Sequence, residues 1–239
     1  MSELANLVTA LRAHVRRRRR MGERRAPVFE EPAPLPVAIP ESGEPIELAP
    51  LCPDLESLRA AVARCTSCEL CHGRTQTVFA DGNGSAGVLF VGEAPGFHED
   101  RQGLPFVGRA GQLLTEIIEK GMGLRREDVL ICNVLKCRPP ENRDPTGLEK
   151  RTCTPWLDRQ IELANPRVII PLGRHAAGHV LGSEAPLGRL RGRVHEQGGR
   201  KIIPTYHPAY LLRNPAAKKD CWRDIQLAMA ELGLTAPGK

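Results

Sequence analysis

Four of the eight cysteines in this 239-residue chain are spaced for metal chemistry. Cys65 and Cys68 form a C-x-x-C pair, Cys137 follows far downstream in KCRPP, and Cys153 lies beyond it with fifteen residues between. A C-x-x-C pair grips one metal atom or cluster from a single turn of chain. Two later thiolates can then close the site across the fold, and four thiolates suit either zinc or an iron–sulfur cluster. Paired disulfides are the competing reading, and they need an oxidising compartment. The sequence has no signal peptide with a short apolar core, and no apolar run near the roughly 18 residues of a membrane span. Metal binding is therefore favoured over disulfides and over cysteines without a shared role. Cys71 extends the pair toward a ferredoxin-like run, but Thr75 stands where that run would place its fourth cysteine. Cys132 and Cys221 sit among apolar neighbours and read as small core residues, while Cys52 lies in a proline-rich stretch and reads as a free thiol.

A second set of chemical groups stands at the ends of apolar runs. GVLFVG (87–92) leads into Glu93-Ala94-Pro95-Gly96, VLICNVL (129–135) carries Asn133 into KCRPP, and KIIPTY (201–206) leads into His207-Pro208-Ala209-Tyr210-Leu211-Leu212-Arg213. With RVIIPLG (167–173), these runs read as buried strands. Helices are expected over 109–121, near 147–164, over 174–182 and over 219–233, and Asp54 is placed to cap another through LESLRAAVARC. Alternation of this kind predicts a single three-layer α/β/α domain around a four-stranded parallel sheet. Ligands bind such sheets at the carboxyl ends of the strands, so a carboxylate, an amide and an imidazole are expected to converge on one crevice.

Charge divides the chain further. Residues 1–25 carry eight arginines against Glu3 and Glu23, and residues 26–56 carry seven acids and eight prolines without a Lys or Arg. Leu4, Leu7, Val8, Leu11 and Val15 recur at helical spacing, so the basic segment 1–25 is expected to be disordered or partly helical. The stretch 26–53 reads as an extended acidic linker, and 54–239 as the folded domain. From residue 57 onward the net charge is +7, which suits a polyanionic partner. The arginine run is expected to contact DNA phosphates, to dock a partner, or to be a solvated tail.

GEAPGFHEDRQGLPFVGRAGQLL, CNVLKCRPPENR and YHPAYLLRNP together resemble the signature segments of family 4 uracil-DNA glycosylases, the iron–sulfur-containing branch of that superfamily. The resemblance runs from about Cys65 to about Leu232 and agrees with the cysteine spacing. It implies hydrolysis of the N-glycosidic bond of deoxyuridine in DNA, releasing uracil and leaving an abasic site for base excision repair. It also implies a 4Fe-4S cluster on Cys65, Cys68, Cys137 and Cys153, with a structural role, and leaves Cys71 a bystander able to compete for iron.

The roles implied for the loops make chemical sense. An extruded base must be held while the sugar gains oxocarbenium character and the leaving uracil gathers negative charge. His207 is expected to donate to uracil O2, for which a neutral imidazole suffices. Asn133 is expected to donate to O4 and accept from N3–H, a pattern that cytosine reverses. Phe106 is expected to stack on the base, with Gly92, Glu93 and Ala94 lining the pocket. Ala94 holds the place of an Asp that positions water in the best-known uracil glycosylases, so Glu93 is expected to take that task, with Glu99 as a supporting acid. Leu211 or Leu212 is expected to fill the gap left by the flipped base, and Arg213, Arg138 and Arg143 to meet phosphates. The chain is thus expected to be a monomeric cytoplasmic enzyme, nucleoid-associated if bacterial, acting on double- and single-stranded uracil-containing DNA, with no membrane contact. The alternatives are a non-catalytic iron–sulfur DNA-binding protein of the same fold and an unrelated zinc protein.

Overall fold

The computed structural model describes residues 44–235. The expected amphipathic helix and most of the acidic stretch lie outside those residues. The remainder of that stretch is folded, which moves the expected domain start at residue 54 toward the amino terminus. Pro45–Leu48 forms a helical turn (α1), aided by a proline at its first position, where no amide hydrogen bond is lost. Leu48, Ala49 and Cys52 are buried in the core. Cys52 is thus a packed thiol, and its backbone carbonyl accepts from Arg159 Nε and Nη2 at 3.0 and 2.8 Å.

The sheet has five strands rather than four: β1 (Val88–Gly92), β2 (Leu130–Asn133), β3 (Val168–Pro171), β4 (His195–Gln197) and β5 (Arg200–Ile202), in the order β2-β1-β3-β5-β4. The first four in that spatial order are parallel, as expected, and β4 adds an antiparallel edge through a hairpin with β5. β4 escaped the sequence reading because HEQ is polar and exposed. Its hairpin signal was the pair Gly198-Gly199, both at positive φ in the two-residue turn.

Period-two alternation sends successive β1 residues to opposite faces. Leu89 and Val91 join a core with Leu58, Trp156, Leu157 and Val180, supplied by α2 (Leu55–Arg64), α6 (Gly147–Ala164) and α7 (Arg174–Leu181). Val88 and Phe90 join the other core, with Leu114, Leu211, Ile225 and Ala228 from α5 (Arg109–Glu116), α9 (Pro208–Arg213) and α10 (Lys218–Leu232). Two short helices complete the numbering, α3 (Leu70–Gly73) and α4 (Phe97–Gln102), with α8 (Leu187–Leu190) before the hairpin. Capping boxes start α2 at Asp54 with Ser57 and α6 at Thr146 with Glu149. Because β1 has β2 on one side and β3 on the other, the chain reverses direction across the sheet there, and a crevice opens beyond Gly92.

Candidate functional site

A cavity of about 480 Å³ occupies that crevice, within the ordinary size range of small-molecule sites. Glu93, Ala94, Glu99, Phe106, Asn133, Asp144, His207 and Arg213 are among its walls. The three strand-end groups expected to converge therefore do so. Asn133 ends β2 with its side chain 2% exposed, and its Oδ1 has no hydrogen-bond partner within the protein. A buried, unpaired carbonyl is costly unless a ligand satisfies it.

Gly92 ends β1 directly against two of these walls, Asn133 and Phe106. A Cβ there would lie 2.2 Å from Asn133 Oδ1 and 2.6 Å from the Phe106 ring, so only glycine lets these two groups approach the strand end. Phe106 is itself buried and held at φ +56°, a conformation unusual for a bulky residue. Glu99 supports that turn: its Oε1 accepts from the amides of Val107 and Gly108, both at 3.1 Å. The Phe106 ring lies 5.5 Å from the His207 ring, centroid to centroid, tilted by 31°.

His207 is the N-cap of α9, and its Nδ1 accepts from the Ala209 amide at 3.1 Å. Nδ1 must then carry the lone pair, which puts the proton of the neutral ring on Nε2. Burial pushes its pKa down to about 4, helped by the Arg213 charge and opposed by Glu99. The imidazole is therefore a neutral N–H donor at ordinary pH. Glu93, by contrast, is shifted upward, first by burial and then by the neighbouring Asp144 carboxylate, against the opposing charges of Arg174 and Lys150.

Leu211 and Leu212 separate clearly. Leu211 is 1% exposed in the core, which corrects its expected place at the DNA, while Leu212 is 36% exposed beside Arg213. Arg143 is also committed within the protein, through a two-pronged ion pair with Glu149 at 2.6 and 2.9 Å that draws the Glu149 pKa down to about 2. Arg138 donates to Asn142 and lies over the Phe97 ring. A neighbouring groove shares Glu93, His207 and Tyr210 with the cavity and presents Lys150, Arg151, Arg174, His175 and His179. None of these five is among the site residues expected from the sequence.

The cysteines form a separate cavity. Cys65, Cys68, Cys137 and Cys153 line it together, with Cys71, Arg74, Lys136 and Trp156. Its polar groups are donors suited to sulfur. Arg74 Nη1 donates to Cys137 Sγ and the Lys136 amide to Cys153 Sγ, both at 3.3 Å, and the buried Trp156 indole N–H has no protein partner. Burial pushes the Cys137 thiol up to about 11 and Cys153 up to about 12. Such sulfurs are poor thiolates alone, and a bound metal supplies the charge that deprotonates them. The donor set fits a thiolate-held group.

Comparison with known proteins agrees with this geometry. A family model described as the Uracil DNA glycosylase superfamily matches residues 79–226. A type-4 uracil-DNA glycosylase of Thermotoga maritima is 49% identical over 162 residues, 67% of this chain and 84% of the relative. The chain is 42% identical to a type-4 uracil-DNA glycosylase of Sulfurisphaera tokodaii over 189 residues, 76% of this chain and 86% of the relative. A type-5 uracil-DNA glycosylase of Pyrobaculum aerophilum is 30% identical over 177 residues, 67% of this chain and 77% of its own length. With the superfamily match spanning the crevice and the higher identities falling to one branch, the chain belongs to the type-4 uracil-DNA glycosylases.

Proposed function

We propose that the crevice beyond β1 receives a uracil flipped out of DNA and releases it by hydrolysis of the N-glycosidic bond, leaving an abasic site. The observation that carries this reading is the buried, unpartnered Asn133 Oδ1, set beside the Phe106 face and a neutral His207 donor. Uracil offers N3–H to that oxygen and O4 to the same amide's NH₂. Cytosine offers a lone pair and a donor at these positions, and would leave buried groups unpaired. Phe106 supports the base from one face. As the C1′–N1 bond lengthens, negative charge gathers on the pyrimidine, and a hydrogen bond from His207 Nε2 to O2 strengthens with it. A neutral donor suits this task, since it acts without first having to be charged at a buried position.

Glu93 faces the sugar side, where its carboxylate stabilises the developing cation and accepts a proton from the incoming water. Glu99 acts through the turn that carries Phe106, as a positioning group rather than a second acid at the bond. Leu212 and Arg213, exposed at the end of α9, meet the duplex, one at the vacated stack and the other at a phosphate. The basic groove continues the DNA path. The enzyme is proposed to act as a monomer in the compartment that holds the DNA. Among the described residues no helix is long and apolar enough to cross a membrane.

Cys65, Cys68, Cys137 and Cys153 are proposed to hold a 4Fe-4S cluster that ties α6 and the 137–146 loop to the segment after α2. When bound, the cluster supplies a rigid cross-link to a loop with few apolar residues of its own. The test is a single-uracil oligonucleotide followed by alkaline cleavage of abasic sites, with Asn133→Ala alongside. The parent chain should yield the cleaved product from uracil and none from cytosine, and Asn133→Ala should lose about two orders of magnitude in rate. No product from the parent chain with intact DNA binding would favour the non-catalytic reading.

A further inference from the structure

His175 has no part in the motifs above, yet it stands at the junction of the base cavity and the basic groove. It is the second residue of α7, which follows Gly173, held at φ +91° with its α-carbon region close against His207. Its side chain is 13% exposed, and its Nε2 is buried with no hydrogen-bond partner. That nitrogen lies 3.8 Å from Glu93 Oε2 and 3.8 Å from Asp144 Oδ2, and the three ligand atoms lie within 4.8 Å of one another. Both separations are too long for a direct hydrogen bond and are right for one bridging water.

We propose that His175, with Glu93 and Asp144, holds the water that attacks the sugar, making it a further catalytic residue of this site. A water oxygen lying just out of the plane of the three atoms meets each of them at about 2.8 Å, an ordinary hydrogen-bond length. Its two hydrogens go to the two carboxylates and it accepts from His175 Nε2–H. The three contacts lie on one side of the water, and its remaining lone pair is free to point at C1′. The step balances within the site: the water oxygen bonds to C1′, the C1′–N1 electron pair leaves with uracil, and the water proton passes to Glu93.

A metal ion is the rival occupant of two carboxylates and an imidazole. Arg174 is already ion-paired with Asp144, and Lys150 acts electrostatically on both Glu93 and His175. A cation would therefore meet two like charges, whereas neutral water meets none. The His175 pKa is shifted down, chiefly by burial and then by Arg174 and Lys150, against the opposing pull of Asp144, and the net shift favours the neutral ring.

This inference rests on the proposed excision reaction, and the experiment separates the two. Single-turnover excision from an oligonucleotide with one deoxyuridine is measured for the parent chain, His175→Leu and His175→Gln. Binding is measured on the same DNA carrying 2′-fluorodeoxyuridine, whose fluorine opposes the sugar cation. His175→Leu should slow excision about 50-fold, His175→Gln should stay within about fivefold because its amide reaches the Nε2 position, and all three should bind within about threefold. A His175→Leu rate within about threefold of the parent, equal losses for Leu and Gln, or a loss matched by weaker binding would each overturn the proposal. If His175→Leu does not fold, His175→Asn, whose amide stops short at the Nδ1 level, replaces it with the same expectations. A parent chain that binds without excising anything overturns the reaction itself.

Discussion

Adding one methyl group at Gly92 tests the whole geometry of base recognition. The new carbon would sit 2.2 Å from Asn133 Oδ1 and 2.6 Å from two carbons of the Phe106 ring, where contacts of about 3.5 Å are comfortable. Asn133 and Phe106 are both buried, so neither can swing into solvent, and one or both must shift by about 1 Å. Hydrogen bonds to the base do not survive such a displacement. Two of them, at about 1.5 kcal/mol each, amount to about 3 kcal/mol, or roughly a 150-fold loss of rate. Overpacking should also cost about 1–3 kcal/mol of stability, at about 2–4 °C of Tm per kcal/mol in a domain of this size. The assay is single-turnover uracil release by Gly92→Ala below its melting range, with affinity for abasic DNA as the control. Abasic DNA has no base to read and should bind nearly as before. Excision by Gly92→Ala within threefold of the parent would refute the idea that Gly92 sets the Asn133 and Phe106 positions.

Three further outcomes follow from the same structure. His207 should titrate near pH 4 by NMR of its ring proton, not near 6.5. Since the unfolded chain then binds more protons than the folded one between those values, the His207 contribution to stability should rise with pH across that window and be complete above it. Leu211→Ala should cost about 2–4 kcal/mol of stability as a core truncation, whereas Leu212→Ala should change stability by less than about 0.5 kcal/mol while slowing excision from duplex more than from single strands. Purified parent protein should contain about four irons and matching sulfide per chain, with Cys153→Ala losing most of both and melting earlier; zinc in place of iron would remove the cluster from the proposal.

Much of the architecture was legible because parallel strands buried on both faces leave short apolar runs, as in VLFVG and VIIP. The strand ends then located Glu93, Asn133 and His207 without any knowledge of side-chain direction. What stayed hidden has physical reasons. Eight prolines made 26–53 look unstructured, although Pro45 starts a helical turn and Cys52 packs under Arg159. Adjacent leucines on a six-residue helix cannot be assigned to core or solvent by pattern, so only the packing of α9 separates Leu211 from Leu212. Arg143 looked free until Glu149 was seen to hold it, six residues away across the α6 cap. His175 and Asp144 belong to no motif, since they come from separate segments and meet only after α7 docks beside the 137–146 loop.

Glu93 and His207 face two adjoining spaces at once, the base cavity and the basic groove. They act as a party wall between two chambers. On the proposed reading, once the glycosidic bond is cut the free pyrimidine lies in one and the backbone along the other. Neither need wait for the other to depart, and a molecule still gripping its scarred strand could already have emptied its base compartment.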